Sequence, residues 1–108
     1  MFRYGEVELD EAQGEITCSG KPIEMRLSEQ RLLAILMRRS GSVVAKSTIE
    51  DALSGGRELS ANAVEILVSR VRKTLIDRSA GVTIETVRGI GYRLRLDGEP
   101  VTGGTSGT

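Results

Sequence analysis

Along the segment NAVEILVSRVRKTL, apolar residues recur at Val64, Val68, Val71 and Leu75, a spacing of three and four that puts them on one side of a helix. Asn62, Ile66, Ser69, Arg70 and Lys73 fall on the other side. The pattern predicts a helix over about residues 61–75, with Ser60 as its cap, that buries one face and offers a polar, cationic ridge bearing one aliphatic side chain. Leu32, Leu33, Leu36 and Met37 repeat the spacing earlier. They predict a helix capped by Ser28, stapled by Leu27 against Leu32, running to about Ser40 and stopped near Gly41. Val43, Val44 and Ala45 read as a brief extended piece. A short helix then opens at Ser47, turns Ile49 and Leu53 inward and ends at Ser54-Gly55-Gly56.

Strand-like patterns occupy both ends. Residues 2–9 read as one short strand, 15–18 as a second and 23–27 as a third, with turns at 10–14 and at Ser19-Gly20-Lys21-Pro22. After the third helix, a polar turn at 77–81 leads to an alternating run over 82–87. Gly89 and Gly91 then bracket Ile90, and a second alternating run ends at Leu96. Strand, glycine-bearing turn and strand make a hairpin. The fold class expected is α+β, a winged helix-turn-helix: an N-terminal antiparallel sheet, a three-helix bundle and a C-terminal β-hairpin wing. One domain is expected over 1–96. The segment DGEPVTGGTSGT at 97–108 has too little to bury and is expected to be a disordered tail.

Composition narrows the function. With 108 residues there is room for one core, and with three aromatics, Phe2, Tyr4 and Tyr92, that core must be aliphatic. The single Cys18 excludes an internal disulfide and reads as a small core or edge residue. A free thiol with no export signal and no membrane-length apolar run points to the cytoplasm. The absence of histidine removes the usual general base and metal ligand. The carboxylates are scattered, and Gly89 and Gly91 are not part of a phosphate-binding loop. No enzyme activity, metal or cofactor is expected.

The net charge of zero hides a segregation. Residues 1–60 carry 8 basic and 10 acidic side chains, 61–96 carry 7 and 3, and 97–108 carry 0 and 2. The positive excess therefore coincides with the third helix and the hairpin, as a DNA-binding surface requires.

On that surface each residue has a chemical task and a plainer competing one. Arg70, mid-helix and outward, suits bidentate contact with guanine O6 and N7; the plain reading is a solvated arginine. Ile66 suits a thymine methyl, against an ordinary exposed aliphatic. Asn62 and Ser69 suit bases or phosphates, while Lys73 and Lys46 suit phosphates. Arg72 lies on the helix flank near Glu65, so an internal ion pair competes with DNA for it. Arg88 on the wing suits a narrow minor groove. Thr86 and Tyr92 have hydroxyls for phosphates, though Tyr92 also suits packing within the hairpin. Arg93 and Arg95 alternate outward with no surface assigned.

Four segments in order, RLSEQRLLAIL, GSVVAKSTIEDAL, NAVEILVSRVRKTL and IETVRGIGYRL, resemble the OmpR/PhoB-type winged-helix effector domain of bacterial two-component response regulators. The resemblance covers about residues 2–96. It implies a four-stranded N-terminal sheet, sequence-specific double-stranded DNA binding, and head-to-tail dimers on direct-repeat operators. It also implies control by a phosphoacceptor receiver domain, and a loop, here about 54–60, that touches RNA polymerase. The chain departs from the family's pattern at Ser54, often tryptophan, at Ala45, usually Ser or Thr, and at Leu67 and Ser69, often His or Arg. A fragment of a longer regulator is expected rather than a free-standing one, because Met1-Phe2 enters a strand directly. The rival function is a winged-helix module that presents the same helix face to a protein.

Overall fold

The computed structural model describes residues 1–56 and 59–98. Four short strands open the chain: β1 (Phe2–Tyr4), β2 (Val7–Asp10), β3 (Glu15–Cys18) and β4 (Lys21–Ile23). They form an antiparallel meander in sequence order. Then come α1 (Leu27–Arg38), β5 (Val44–Ala45), α2 (Lys46–Ser54), α3 (Ala63–Asp77), β6 (Val82–Val87) and β7 (Gly91–Leu96). The last two strands form a hairpin, and β5 pairs with the free side of β7, giving the order β5-β7-β6. This is the expected α+β winged helix.

Residues 2–9 form two strands rather than one. The chain reverses at Gly5, with φ +58°, so that Phe2 pairs with Leu9 and Tyr4 with Val7. A Cβ at Gly5 would stand 2.8 Å from Leu96 Cδ2 and 3.0 Å from Val82 Cγ2, so this turn packs against the base of the C-terminal hairpin. The strand expected over 23–27 is also displaced. β4 occupies Lys21–Ile23, and Pro22 is tolerated because β4 is an edge strand that needs no outward N–H. Met25 belongs to the connection instead, where its carbonyl accepts from Gln30 Nε2 at 3.0 Å.

The helix starts differ from the caps read in the sequence. Arg26 precedes α1 and Asn62 precedes α3, neither with a side-chain capping bond; Ser28 lies inside α1, and Ser60 lies in the turn before α3. Leu27 is 62% exposed while Leu32 is fully buried, so Leu27 is no buried staple. α2 begins at Lys46 rather than Ser47, because the Lys46 N–H is satisfied by the Ile90 carbonyl at 3.2 Å. α3 runs two residues past Leu75. It closes with Ala80 N–H to Leu75 O at 3.0 Å and Ser79 N–H to Ile76 O at 2.9 Å, a Schellman arrangement with Ser79 at φ +51°.

The core joins the two sheets through the helices. Leu32, Leu33, Leu36 and Met37 of α1, Ile49 of α2, and Val64, Val68, Val71 and Leu75 of α3 are buried with Val7, Leu9, Ile16, Ile84 and Leu94. Cys18 is a buried free thiol in this cluster, paired with Val7 across the sheet. Each such side chain contributes roughly 1.5–3 kcal/mol by leaving water. Beyond β7, Asp97 N–H donates to Gly81 O at 2.9 Å; residues 99–108 of the expected tail lie outside the described residues.

Two substitutions check this account by chemical denaturation. Leu36→Ala should cost about 2–5 kcal/mol, since it opens a cavity at a fully buried site. Ser79→Gly should add up to about 1 kcal/mol by relieving a left-handed backbone at a side-chain-bearing residue. A neutral Leu36→Ala would contradict the assigned core.

Candidate nucleic-acid interface

α3 has two chemically distinct faces because its valines repeat at helical spacing. Val64, Val68, Val71 and Leu75 are almost wholly buried, whereas Asn62, Glu65, Ile66, Ser69, Arg70 and Lys73 are exposed. Ile66 is 40% exposed, an aliphatic patch amid polar neighbours. Arg70 has no hydrogen bond or ion pair among the described residues, so its guanidinium is available to an outside partner. Lys73 makes only a solvent-exposed i,i+4 contact with Asp77 at 3.3 Å, which is weak and readily exchanged.

The wing is attached to this helix by Arg72. Its Nε donates to the Ile84 carbonyl and its Nη2 to Thr86 Oγ1, both at 2.8 Å. The expected competition between Glu65 and DNA for Arg72 is therefore resolved otherwise: Arg72 ties α3 to β6. Thr86 stays exposed and retains its own hydroxyl proton as a donor. At the tip, Arg88, Gly89 and Ile90 join β6 to β7, with Gly89 at φ +76°. Arg88 is exposed and, like Arg70, has no partner among the described residues.

The wing also closes onto α2. A Cβ on Gly91 would lie 1.9 Å from the Val44 carbonyl oxygen, so only glycine lets β7 approach β5. This approach lets Ile90 O receive the Lys46 N–H. Lys46, Thr86, Val87, Gly89, Ile90, Gly91 and Tyr92 then line a hollow of about 230 Å³. Tyr92 is 6% exposed and part of the core, so the packed-aromatic role is present, with its ring forming one wall of that hollow. Lys46 Nζ donates to Glu65 Oε2 at 2.5 Å.

The family described as transcriptional regulatory protein, C terminal, matches residues 20–94. The chain belongs to this family. It is the OmpR/PhoB-type group that the sequence resembles. Among curated relatives, the chain is 37% identical over 90 residues to the response regulator protein PmrA of Pseudomonas aeruginosa, covering 82% of this chain and 39% of PmrA. It is 38% identical over 94 residues to the transcriptional regulatory protein QseB of Escherichia coli O157:H7, covering 86% and 41%. The chain thus spans about two-fifths of the length of these relatives. Among solved structures, the DNA-binding domain of E. coli CadC superposes with a TM-score of 0.75 at 25% identity, covering 87% of this chain and 90% of that one. The DNA-binding domain of E. coli CpxR superposes at 0.73 and 24% identity, covering 85% and 92%, a likeness of fold.

Within this member of the family, Asn62, Ile66, Ser69, Arg70 and Lys73 share the exposed ridge of α3. Arg88 and Thr86 stand on the wing, and Lys46 stands at the start of α2, held beside α3 by its bond to Glu65. The pairings of four further residues were missed by sequence reasoning. Glu65 and Arg72 take partners set only by the packing of α2 and β6 on α3. Glu85 and Arg93 pair directly across the hairpin, a register that the Val87–Gly91 turn would have revealed. Glu85 is buried; its Oε1 lies 3.3 Å from Arg93 Nη1, while Arg93 Nε donates to the Gly41 carbonyl at 2.7 Å. That clamp joins the wing to the loop after α1, so Arg93 and Arg95 lie against Glu85. A hollow of about 720 Å³ between the β3–β4 hairpin and the start of α1 contains none of the expected site residues. A duplex is met by a ridge, which no cavity would register. Among the described residues, no cluster of His, Cys, Asp or Glu could hold a metal ion, and no helix is long and apolar enough to cross a membrane.

Glu65 and Lys46 hold each other ionised. The hydrogen bond from Lys46, helped by the Glu65 backbone N–H, lowers the Glu65 carboxyl below its ordinary range; the bond to Glu65 raises the Lys46 ammonium above its own. The pair's contribution is therefore lost only as pH falls through the lowered Glu65 value or rises through the raised Lys46 value. An NMR titration of the Glu65 carboxyl should show its inflection below the usual glutamate range, moving back towards it in Lys46→Met. An unshifted inflection in the parent protein would mean that the pair is not formed.

Proposed function

We propose that this chain is a sequence-specific double-stranded DNA-binding domain that regulates transcription, with α3 in the major groove and the β6–β7 wing at the adjacent minor groove. The observation that carries the reading is the exposed α3 ridge, with Arg70 uncommitted at its middle, backed by a fully buried stripe and flanked by a wing ending in an uncommitted Arg88. A guanidinium held this way matches guanine O6 and N7, Ile66 matches a thymine methyl, and Asn62 and Ser69 supply adaptable donors and acceptors. Lys46, Lys73, Thr86 and the Tyr92 hydroxyl form the phosphate-facing margin, which positions without specifying. Family membership supports the same reading, as do relatives named as response regulators and transcriptional regulatory proteins.

The finer parts of the proposal follow from that kinship. The domain is the effector half of a two-component response regulator in the cytoplasm, a receiver domain supplies the signal, and two effectors bind head to tail on direct repeats. Contact with RNA polymerase falls to the loop between α2 and α3, of which Arg57 and Glu58 lie outside the described residues.

Selection of sites from a randomised duplex library, followed by affinity measurement at several salt concentrations, tests the reading. Enrichment of a short motif with affinity falling log-linearly in salt is expected. Arg70→Ala should cost about 1–3 kcal/mol and relax preference at one base pair, whereas Lys73→Ala should weaken all sites alike and lower the salt slope by about one. Equal loss across all sites for Arg70→Ala would refute its base-reading role. Folded protein that enriches no motif as a covalently linked tandem dimer would favour the protein-interaction module, to which exposed Ile66 and Ile90 would then be anchors.

A further inference from the structure

The exposed face of α3 carries two carboxylates: Asp77 in the last turn, paired with Lys73, and Glu65 in the first turn, where a DNA-facing surface should avoid negative charge. An acid in the first helical turn complements the helix dipole, which accounts for a glutamate somewhere near this end. It does not account for the bond to Lys46. That lysine's backbone is anchored by its N–H to Ile90 O, and its ammonium donates to Glu65 Oε2 at 2.5 Å. The carboxylate is thus held from outside its own helix, while its side chain remains 47% exposed.

The bonding capacities are complementary. A carboxylate offers about four lone-pair sites and an ammonium three donors. Lys46 and the Glu65 backbone N–H leave acceptor capacity on the carboxylate unused, and the bond to Glu65 leaves Lys46 two donors. In the major groove, cytosine presents an amino donor at N4, while guanine and thymine present acceptors at O6, N7 and O4. A fixed acceptor is therefore matched by cytosine, met less well by adenine, whose N6 amino donor lies beside its N7 acceptor, and repelled by guanine and thymine.

We propose that Glu65 is a specificity-determining residue whose carboxylate accepts a hydrogen bond from the exocyclic amino group of a cytosine, with Lys46 as the positioning residue that holds it there and turns its remaining donors to the phosphate backbone. The proposal rests on the DNA-binding reading above. The negative charge then acts as a filter: it lowers affinity for DNA in general and is tolerated where a cytosine amino group meets it.

Site selection and single-position duplex affinities with the parent protein, Glu65→Ala, Glu65→Gln and Lys46→Met test this, with a thermal melt of each variant to confirm folding. The parent motif should contain one position at which cytosine is preferred about tenfold or more. Glu65→Ala should flatten that position alone and tighten binding to unrelated DNA several-fold, since a negative charge has left the surface. Glu65→Gln, which keeps the shape and adds a donor, should move the preference towards adenine. Lys46→Met should partly flatten the same position while lowering the salt slope by about one. A pair with a merely structural role would shift melting temperature and leave base preference unmoved. If Glu65→Gln and Glu65→Ala select the parent motif with every position intact, the proposal is overturned and the DNA-binding reading stands. If the parent protein selects no motif even as a covalently linked tandem dimer, both are overturned. Should Glu65→Ala melt below the assay temperature, the base preference of the isosteric Glu65→Gln decides alone.

Discussion

The burial of one α3 stripe governs nearly everything else in this molecule. Val64, Val68, Val71 and Leu75 pack into the same cluster as Leu32, Leu33 and Leu36 of α1, and that contact fixes how α3 is rotated about its own axis. Three of the four are valines, whose branched Cβ leaves essentially one rotamer in a helix, so the packed face cannot slip by reshuffling side chains. Once the rotation is set, the identity of the outward residues is set with it. A shift of the apolar register by a single position would bury Ser69 or Arg72 and turn a valine outward.

The wing is constrained by different means, since a two-stranded hairpin is marginal alone. Three unrelated ties hold it. Arg72 reaches from α3 to the β6 backbone; Arg93, braced by buried Glu85, reaches the loop after α1; and Gly91 permits β5 to join the sheet on its other side. Two of these are charge-assisted hydrogen bonds to backbone carbonyls, which are directional and stronger than neutral ones. Cationic side chains in this half of the chain thus divide into structural ones, Arg72 and Arg93, and uncommitted ones, Arg70 and Arg88. Counting charges along the sequence does not separate them.

How much was legible follows from the range of the forces concerned. The α3 faces, the α1 apolar face and the hairpin were readable because periodicity reports burial directly, and the wing turn was readable because glycines mark it. The ends of elements were not. Arg26 and Asn62 precede their helices without side-chain caps, and the reversal at Gly5 falls within a stretch too short to show two alternations. The site was legible in its outward residues and illegible in its pairings. Whether Arg72 turns to Glu65 or to β6, and whether Glu65 turns to Lys46, depends on elements that meet only after folding, 12 and 19 residues apart in the chain. Tyr92 shows the same limit, since one residue type at one place in the alternation suits either a buried ring or a phosphate-facing hydroxyl, and only the fold shows that the ring is buried.

The backbone bond between Lys46 and Ile90 joins the mouth of α2 to the tip of the wing, and Gly91 keeps the intervening strands in contact. Two surfaces that would grip a duplex on either side of α3 are thus jaws cut from one piece. Their spacing is set by the strand pairing and that bond, as in a caliper. Under the proposed docking, a duplex of the wrong groove width meets a protein that does not adjust, and the work of fitting falls on the DNA. Sequence-dependent stiffness at base pairs that no side chain touches then enters the choice of site.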